Sequence, residues 1–412
     1  MAIKNEVFLI VDYFQYFFYI LRQPMDNDRK HTHSFSTMPA RQLTVCICVA
    51  FFLNLAGCLT DSSSESDTPA SISSSSISSI SVSSSSSQPK DDSTKSLLTI
   101  DGISLLVDSS FFMDKFHSSS IKIAFKDEET NELNYIEING NKIQHEIIAT
   151  SAIPNHPQFS PDGSKLAFST GAEGIFEPAD LYVIDLSSAD RPIQKLEAEI
   201  AAIPRWRVTE NGDTSILYND YVGSDLSPLW SYSGTFIVSY SNNTFGTPLK
   251  LFNRSYNGGV SADNSLAVSG SPQLLFHYAS DDDSVNIDMY NEDQACNVSM
   301  PRDSSKIISF LETQGSMGLQ FTQSMSYNWH QYLFYMDSTG KILKAIKSES
   351  GYVFNGTEWL YAPGYQIGVL TSTDGESEHI ILIDYEMGTY YNIIYAPGKQ
   401  ITFPDLWVNT NK

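Results

Sequence analysis

At 412 residues and a formal net charge of −23, the chain is too long for one ordinary sandwich and has the size of one repeat domain with appendages. Its acidity excludes a nucleic-acid partner, which needs clustered Lys and Arg, and its Tyr-, Phe-, Ser- and Asn-rich composition, 18% charged, suits β structure better than helix bundles. Of four cysteines, Cys46, Cys48, Cys58 and Cys296, only the last falls in the body of the chain, so neither a disulfide framework nor a C-x-x-C metal or redox site is expected.

The first elements concern targeting. VFLIVDYFQYFFYIL (7–21) is aromatic and apolar but interrupted by Asp12 and Gln15, which is not the pattern of a signal peptide. The expressed chain is therefore expected to start at Met25 or Met38, with an aromatic interfacial segment as the alternative. LTVCICVAFFLNL (43–55) is shorter than a membrane span, follows Arg41 and ends in small residues, so a secretory signal is expected over about 38–57 within a signal region 1–57. Its ending, Leu55, Ala56, Gly57 and Cys58, resembles the lipobox of bacterial lipoproteins. That resemblance implies cleavage before Cys58, a lipid on its thiol and a membrane anchor, with an uncleaved anchor helix as the alternative. Leu59 rather than Asp after the cysteine implies, by the same resemblance, the outer membrane of the cell envelope.

After Cys58, a linker to about 98 is more than half serine between 61 and 90. It has too few apolar side chains to offset its ordering entropy and is expected to be a disordered tether. A flexible coil of that length reaches on the order of 30 Å.

Beyond it, over 99–412, one short pattern returns. HPQFSPDGSKLAFST (156–170) places a Pro, then an aromatic two residues on, then a tight Asp-Gly turn, then an apolar strand. IPRWRVTENGDTSILYND (203–220), GGVSADNSLAVSG (258–270), CNVSMPRDSSKIISFLE (296–312) and, more weakly, WLYAPGYQIGVLTS (359–372) repeat it. DLYVID (180–185) and HIILIDYE (379–386) read as third strands. The spacing makes each unit a small antiparallel sheet, with blades starting near 156, 203, 256, 295 and 355. A sixth begins at IKIAF (121–125) without an inner strand of its own, while FPDLWV (403–408) restates the opening of the motif at the end of the chain. The expectation is an all-β, six-bladed β-propeller, with seven blades as the alternative, closed by its C-terminal strand so that no edge is left open.

FSPDGSKLAFST followed by DLYVIDL resembles the TolB-type β-propeller repeat, over roughly 115–408. IPRWRVTENGDT, GTPLKLF, ACNVSM and FPDLWV resemble a paralogous family of serine-tethered bacterial lipoproteins, some of which place a sulfatase-modifying-factor-like domain before the propeller. This chain has only the tether there, so no chemistry of such a domain carries over. The resemblance implies a propeller that docks envelope proteins.

Chemistry is harder to find. There is no G-x-S-x-G elbow, H-E-x-x-H, P-loop or dinucleotide fingerprint, and no cofactor is expected. His156, His277, His330 and His379 read as loop or sheet-surface residues, and Cys296 as a small buried strand residue. Asp281, Asp282 and Asp283 form a weak cation-site candidate that lacks the Gly turn and terminal Glu of an EF-hand, so a solvated loop is the better reading; KDEETNE (126–132) reads as a hairpin tip. Trp206 and Trp407 take the inner-strand packing position, whereas Trp230 and Trp329, in irregular stretches, are the candidate binding aromatics. The expected function is a monomeric, lipid-anchored, non-catalytic protein-binding or scaffolding module. Surface carbohydrate binding and a propeller glycosidase or lyase are the alternatives.

Overall fold

The structure, a computed structural model, describes residues 98–100, 102–171, 178–208, 212–282 and 285–409. The signal region, the lipobox at 55–58, the serine tether to 97 and Asp283 lie outside the described residues. Six antiparallel sheets form a six-bladed propeller.

Blade one holds Ser120–Asp127, Glu132–Asn139 and Lys142–Ile148, and its inner strand is the C-terminal Ile401–Val408. Blades two to six have inner strands Asn155–Phe159, Ala202–Val208, Gly259–Val260, Ala295–Ser299 and Tyr352–Trp359, each followed by its own outer strands. The closing pair is antiparallel, with Leu406 opposite Ile123 and Val408 opposite Ile121. The five starts expected near 156, 203, 256, 295 and 355 thus fall on inner strands, FPDLWV lies in the sixth, and Leu181–Asp185 and Ser377–Asp384 are third strands.

The repeat folds this way because its turn residues bond their own backbone. In blade two the Ser160 hydroxyl donates to Asp162 at 2.6 Å and accepts the Lys165 N–H at 2.9 Å, while Asp162 also accepts the Ser164 N–H at 3.0 Å. Ser261 and Asp263 repeat that clasp in blade four, at 2.7 Å, with Leu266 N–H on the Ser261 hydroxyl at 3.0 Å. Such side-chain bonds hold a tight turn in the absence of any tertiary contact, which is why the motif is legible.

Between each pair of neighbouring blades lies one apolar layer. Phe159, Leu166 and Phe168 of blade two meet Ala124, Leu133 and Tyr135 of blade one. Trp206, Ile216 and Tyr240 of blade three meet Leu181 and Val183 of blade two. The same arrangement runs around the ring and closes between blades six and one, where Ile367, Val369 and Leu382 pack on Ile121, Ile123 and Ile136. At roughly 1.5–3 kcal/mol for each fully buried large apolar side chain, these layers outweigh the exposed ion pairs on the rim, worth about 1 kcal/mol or less each.

Two additions were not expected. Leu98–Ile100 and Ile103–Leu105 form a hairpin on the outer edge of blade six, with Leu105 opposite Ile394, so that sheet has six strands. The helix Ser109–Phe116, capped by Asp108 accepting the Ser110 N–H at 2.9 Å, buries Phe112 completely and packs Phe116 against Tyr365 at 4.6 Å. Eight residues are too short to show a helical period, so neither element stood out in sequence.

Gly163 shows how tightly turn and neighbour fit. It lies at φ +66°, and an added Cβ would meet the Trp407 ring at 2.4 Å; Gly140 has φ +59° and open space around it. Both Gly→Ala changes should cost about 1 kcal/mol of left-handed strain, and Gly163→Ala about 1–3 kcal/mol more from overpacking. Urea unfolding of the two variants should separate them; equal losses would mean that Trp407 does not seal this turn.

Candidate functional site

The inner strands share a backbone irregularity that shapes the central channel. His156, Ile203, Asn297, Gly356 and Phe403 take φ between 49° and 56°, and in each case the pairing with the next strand shifts register at that point. A bulge of this kind re-aims the following side chain. The residue two positions on is Gln158, Arg205, Ser299, Glu358 or Asp405, so five inner strands bring a polar side chain to the same level of the ring.

These side chains bond across the axis. Arg205 of blade three reaches Glu358 of the opposite blade six at 2.5 Å and donates to the Asn257 carbonyl at 2.6 Å. The Ser299 hydroxyl of blade five donates to the other Glu358 oxygen at 2.7 Å. Arg302, just past the same strand, donates to Gln158 of blade two, lies 3.9 Å from Asp405 of blade one and stacks its guanidinium 4.4 Å over the Tyr361 ring. Asp405 in turn accepts the Phe159 N–H at 2.6 Å. Burial pushes the Asp405 carboxyl up to about 6, against the pull of Arg302. Burial likewise holds the His156 imidazole down to about 3, with Arg205 and Lys126 adding to the effect.

The channel opens as a recess lined by His156, Asn297, Gly356, Thr357, Phe403 and Pro404, together with Gln158 and Glu358; it holds about 370 Å³ including its open mouth. It is set toward the start of the inner strands of blades two and five, where His156 is the second residue of its strand and Asn297 follows Cys296, which the loop residue His330 contacts at 2.9 Å. The ends of the second strands lie at that same end of the ring, because Asn155 pairs with Ser169, Ala202 with Asn219 and Ala295 with Glu312. The loops that leave those second strands therefore surround the recess.

Two of these loops present apolar side chains on a pinned backbone. In blade three the short helix Pro228–Tyr232 buries Trp230, whose ring N–H donates to the Ser255 carbonyl at 2.7 Å, and leaves Tyr232 84% exposed. In blade five a helix, Ser316–Thr322, leads into a loop that buries Tyr327, its hydroxyl on Glu312, and exposes Met325 at 99% and Trp329 at 53%. Burial raises the Glu312 carboxyl to about 7.

The sequence-derived candidates fare unevenly against this geometry. Trp329 is exposed on the recess side; Trp230 is not, because its indole anchors the loop that carries Tyr232. Trp206 and Trp407 are buried packing residues. His156, His277 and His330 are buried rather than superficial: His156 sits at a bulge, His277 on a regular strand where its ring stacks on Tyr256, and His330 at a loop turn under Trp329; His379 is half-buried. Cys296 is partly exposed rather than buried. Asp281 and Asp282 lie in the loop between the last two strands of blade four, and Asp288 is committed to the Tyr290 and Glu292 N–H groups. The cross-axis residues went unnoticed, although Gln158, Arg205 and Asp405 each directly follow a proline of the motif.

No protein-family model matches the chain, and no curated protein matches it. Among solved structures, the chain is similar to the hydrazine synthase of Kuenenia stuttgartiensis at 10% identity and a TM-score of 0.44, over 70% of this chain and 46% of that one. It is similar to a nidogen/laminin complex at 8% identity and a TM-score of 0.44, over 69% and 98% of the two chains. It is also similar to the β-propeller domain of the trilobed protease from Pyrococcus furiosus at 13% identity and a TM-score of 0.33, over 67% and 94%. The chain thus spans less than half of the hydrazine synthase chain.

Removing one partner of the cross-axis pair strands a charge, so Glu358→Met alone should cost about 3 kcal/mol, whereas Arg205→Met combined with Glu358→Met should recover most of it. A double-mutant cycle in urea reads the coupling, and additive losses would show the pair to be incidental. Asp405 is held above its unfolded value of about 3.9, so its contribution is fully present below pH 4 and is lost as pH rises through about 6. Relative to wild type, Asp405→Asn should therefore gain about 2–3 kcal/mol between pH 4 and pH 8. A difference that does not change with pH would contradict that sign.

Proposed function

We propose that this chain is a lipid-anchored envelope propeller that binds a protein partner, without catalysis, through the end of the ring that carries the recess. The observation that carries this reading is the exposed set Tyr232, Met325 and Trp329 on loops whose neighbouring aromatics, Trp230 and Tyr327, are buried and hydrogen-bonded. Large apolar side chains held on a pinned backbone lose little entropy on association, which is what a protein hot spot requires. The carboxylates of the channel support the non-catalytic part, since Glu358 accepts from Arg205 and the Ser299 hydroxyl, and Asp405 accepts the Phe159 N–H and lies 3.9 Å from Arg302, contacts that join different blades.

The anchor part rests on Cys58 and its preceding residues. The serine tether would then keep the propeller near the membrane surface and free to reorient, so that binding gains from local concentration. The narrower kinship with TolB-type lipoproteins belongs to the same proposal.

A photo-crosslinking residue placed in turn at Tyr232, Met325 and Met387 tests the face. Met387 sits in the turn between the last two strands of blade six, at the opposite end of the ring. In envelope-intact cells, adducts to one or two envelope proteins from 232 and 325 but not from 387 are expected. Equal capture from all three positions, or a blank from a correctly fractionated chain, would sink the protein-binding reading, and glycan-array binding would then favour carbohydrate. Cys58→Ala should move the protein from the membrane to the soluble fraction.

A further inference from the structure

Blade five brings together two groups 34 residues apart that neither the fold nor the proposed docking face uses. The Cys296 sulfur, at the start of the inner strand, lies 2.9 Å from Nε2 of His330. The His330 backbone is fixed on both sides, its N–H on the Glu312 carbonyl at 3.2 Å and its carbonyl accepting the Phe354 N–H at 2.9 Å. Its ring is buried under Trp329, with centroids 3.7 Å apart. Cys296 itself keeps partial access to solvent.

The proton on that imidazole is placed by its surroundings. Burial holds His330 down to about 4, so the ring is neutral near pH 7 and carries one N–H. Nδ1 is buried with no hydrogen-bond partner. A buried N–H without an acceptor is rarer and costlier than a bare ring nitrogen, so the hydrogen belongs on Nε2, aimed at the sulfur. The side-chain amide of Asn297 also donates to the sulfur, at 3.8 Å, and Asn297 lines the open recess. Two N–H donors converging on sulfur favour the thiolate over the thiol.

We propose that Cys296 is a nucleophilic thiol, a site of covalent modification by low-molecular-weight disulfides, its thiolate held by the His330 and Asn297 N–H groups beside the channel mouth. The step balances without an added oxidant. The thiolate attacks one sulfur of the disulfide, a new S–S bond forms as the old one breaks, and the departing thiolate leaves with the electron pair. The proton that Cys296 released to solvent ends on that leaving thiol. Of the titratable groups packed nearby, His330 faces the sulfur, whereas Glu312 lends its main-chain oxygen and bonds its carboxyl to the Tyr327 hydroxyl and the Gly315 N–H. Tyr335, Tyr352, Tyr385 and Tyr390 belong to the apolar layer against which Cys296 packs.

The test uses the full chain and reads Cys296 by peptide mass, which separates it from Cys46, Cys48 and Cys58. Iodoacetamide alkylation of Cys296 is followed against pH in the native protein and in the same protein unfolded in urea. The native midpoint is expected at least one pH unit below that of the unfolded chain, which should lie at about 8.5. Oxidised glutathione at pH 7 should place a mixed disulfide on Cys296 about threefold faster in the native than in the unfolded chain, the gain in thiolate being partly offset by its lower nucleophilicity. His330→Asn and Asn297→Gly, chosen because both residues tolerate the left-handed backbone there, should each move the midpoint back up. A native midpoint at or above the unfolded one, or no mixed disulfide on Cys296, overturns the proposal whether or not the variants fold.

Discussion

Everything at the channel mouth depends on the pairing of Ile401–Val408 with Ser120–Asp127. That one ladder turns a row of sheets into a ring and supplies blade one with its inner strand. The same strand carries Phe403 and Pro404 into the recess and Asp405 into the channel. It is locked by polar contacts at its start, where the Ile401 N–H meets the buried Glu378 carboxyl and Lys399 pairs with Asp127 at 2.6 Å. Trp407 holds its far end, donating to the Pro161 carbonyl at 2.9 Å and covering the Gly163 turn of the next blade. A strand pairing across nearly the whole described chain has a high loop-closure entropy to overcome, and these anchors together with the apolar layers on either side supply what overcomes it.

Closure also decides what fills the axis. Apolar layers lie between blades, but at the channel the inner strands face one another across a gap that their neighbours do not pack. The bulges send Arg205, Ser299, Glu358 and Asp405 there, and Arg302 reaches in beside them. An apolar filling of equal shape would serve stability as well or better, because desolvating charges is costly. What the ion pairs add is geometry: a pair spanning opposite blades is satisfied only when the intervening blades are present and in phase.

The two ends of the ring are unequal for the same topological reason. The tight Ser-Asp turns of blades two and four lie at one end, where the neighbouring blade grips them; Lys122 donates to the Gly163 carbonyl at 2.6 Å and Lys306 bonds Asp263 at 2.8 Å. The longer loops leave from the other end, around the recess. There, buried side chains such as Trp230, Tyr327 and Asp225, the last accepting the Ser271 N–H at 3.1 Å, set the backbone that presents the exposed ones. Short turns thus serve packing and long loops serve presentation, which gives recognition an end of the ring to itself.

While the choice of six blades over seven fell to the structure, the sequence by itself determined the repeat, the phase of the blades and the closing strand. Those features are written in local chemistry: Ser160 and Asp162 clasp their own turn, and Phe159 or Trp206 follows its proline at a fixed offset. It did not disclose the outer hairpin or the helix of blade six, which are too short to carry a period. Nor did it tell Trp230 from Trp329, because the same residue type in similar irregular stretches is buried or exposed according to what the loop packs on. The axial partners were decided only by the tertiary structure. Arg205 and Glu358 are 153 residues apart, and Arg302 and Gln158 are 144 apart. Side chains so distant meet only once six blades have closed, since their separation is set by the ring and not by any interval along the chain.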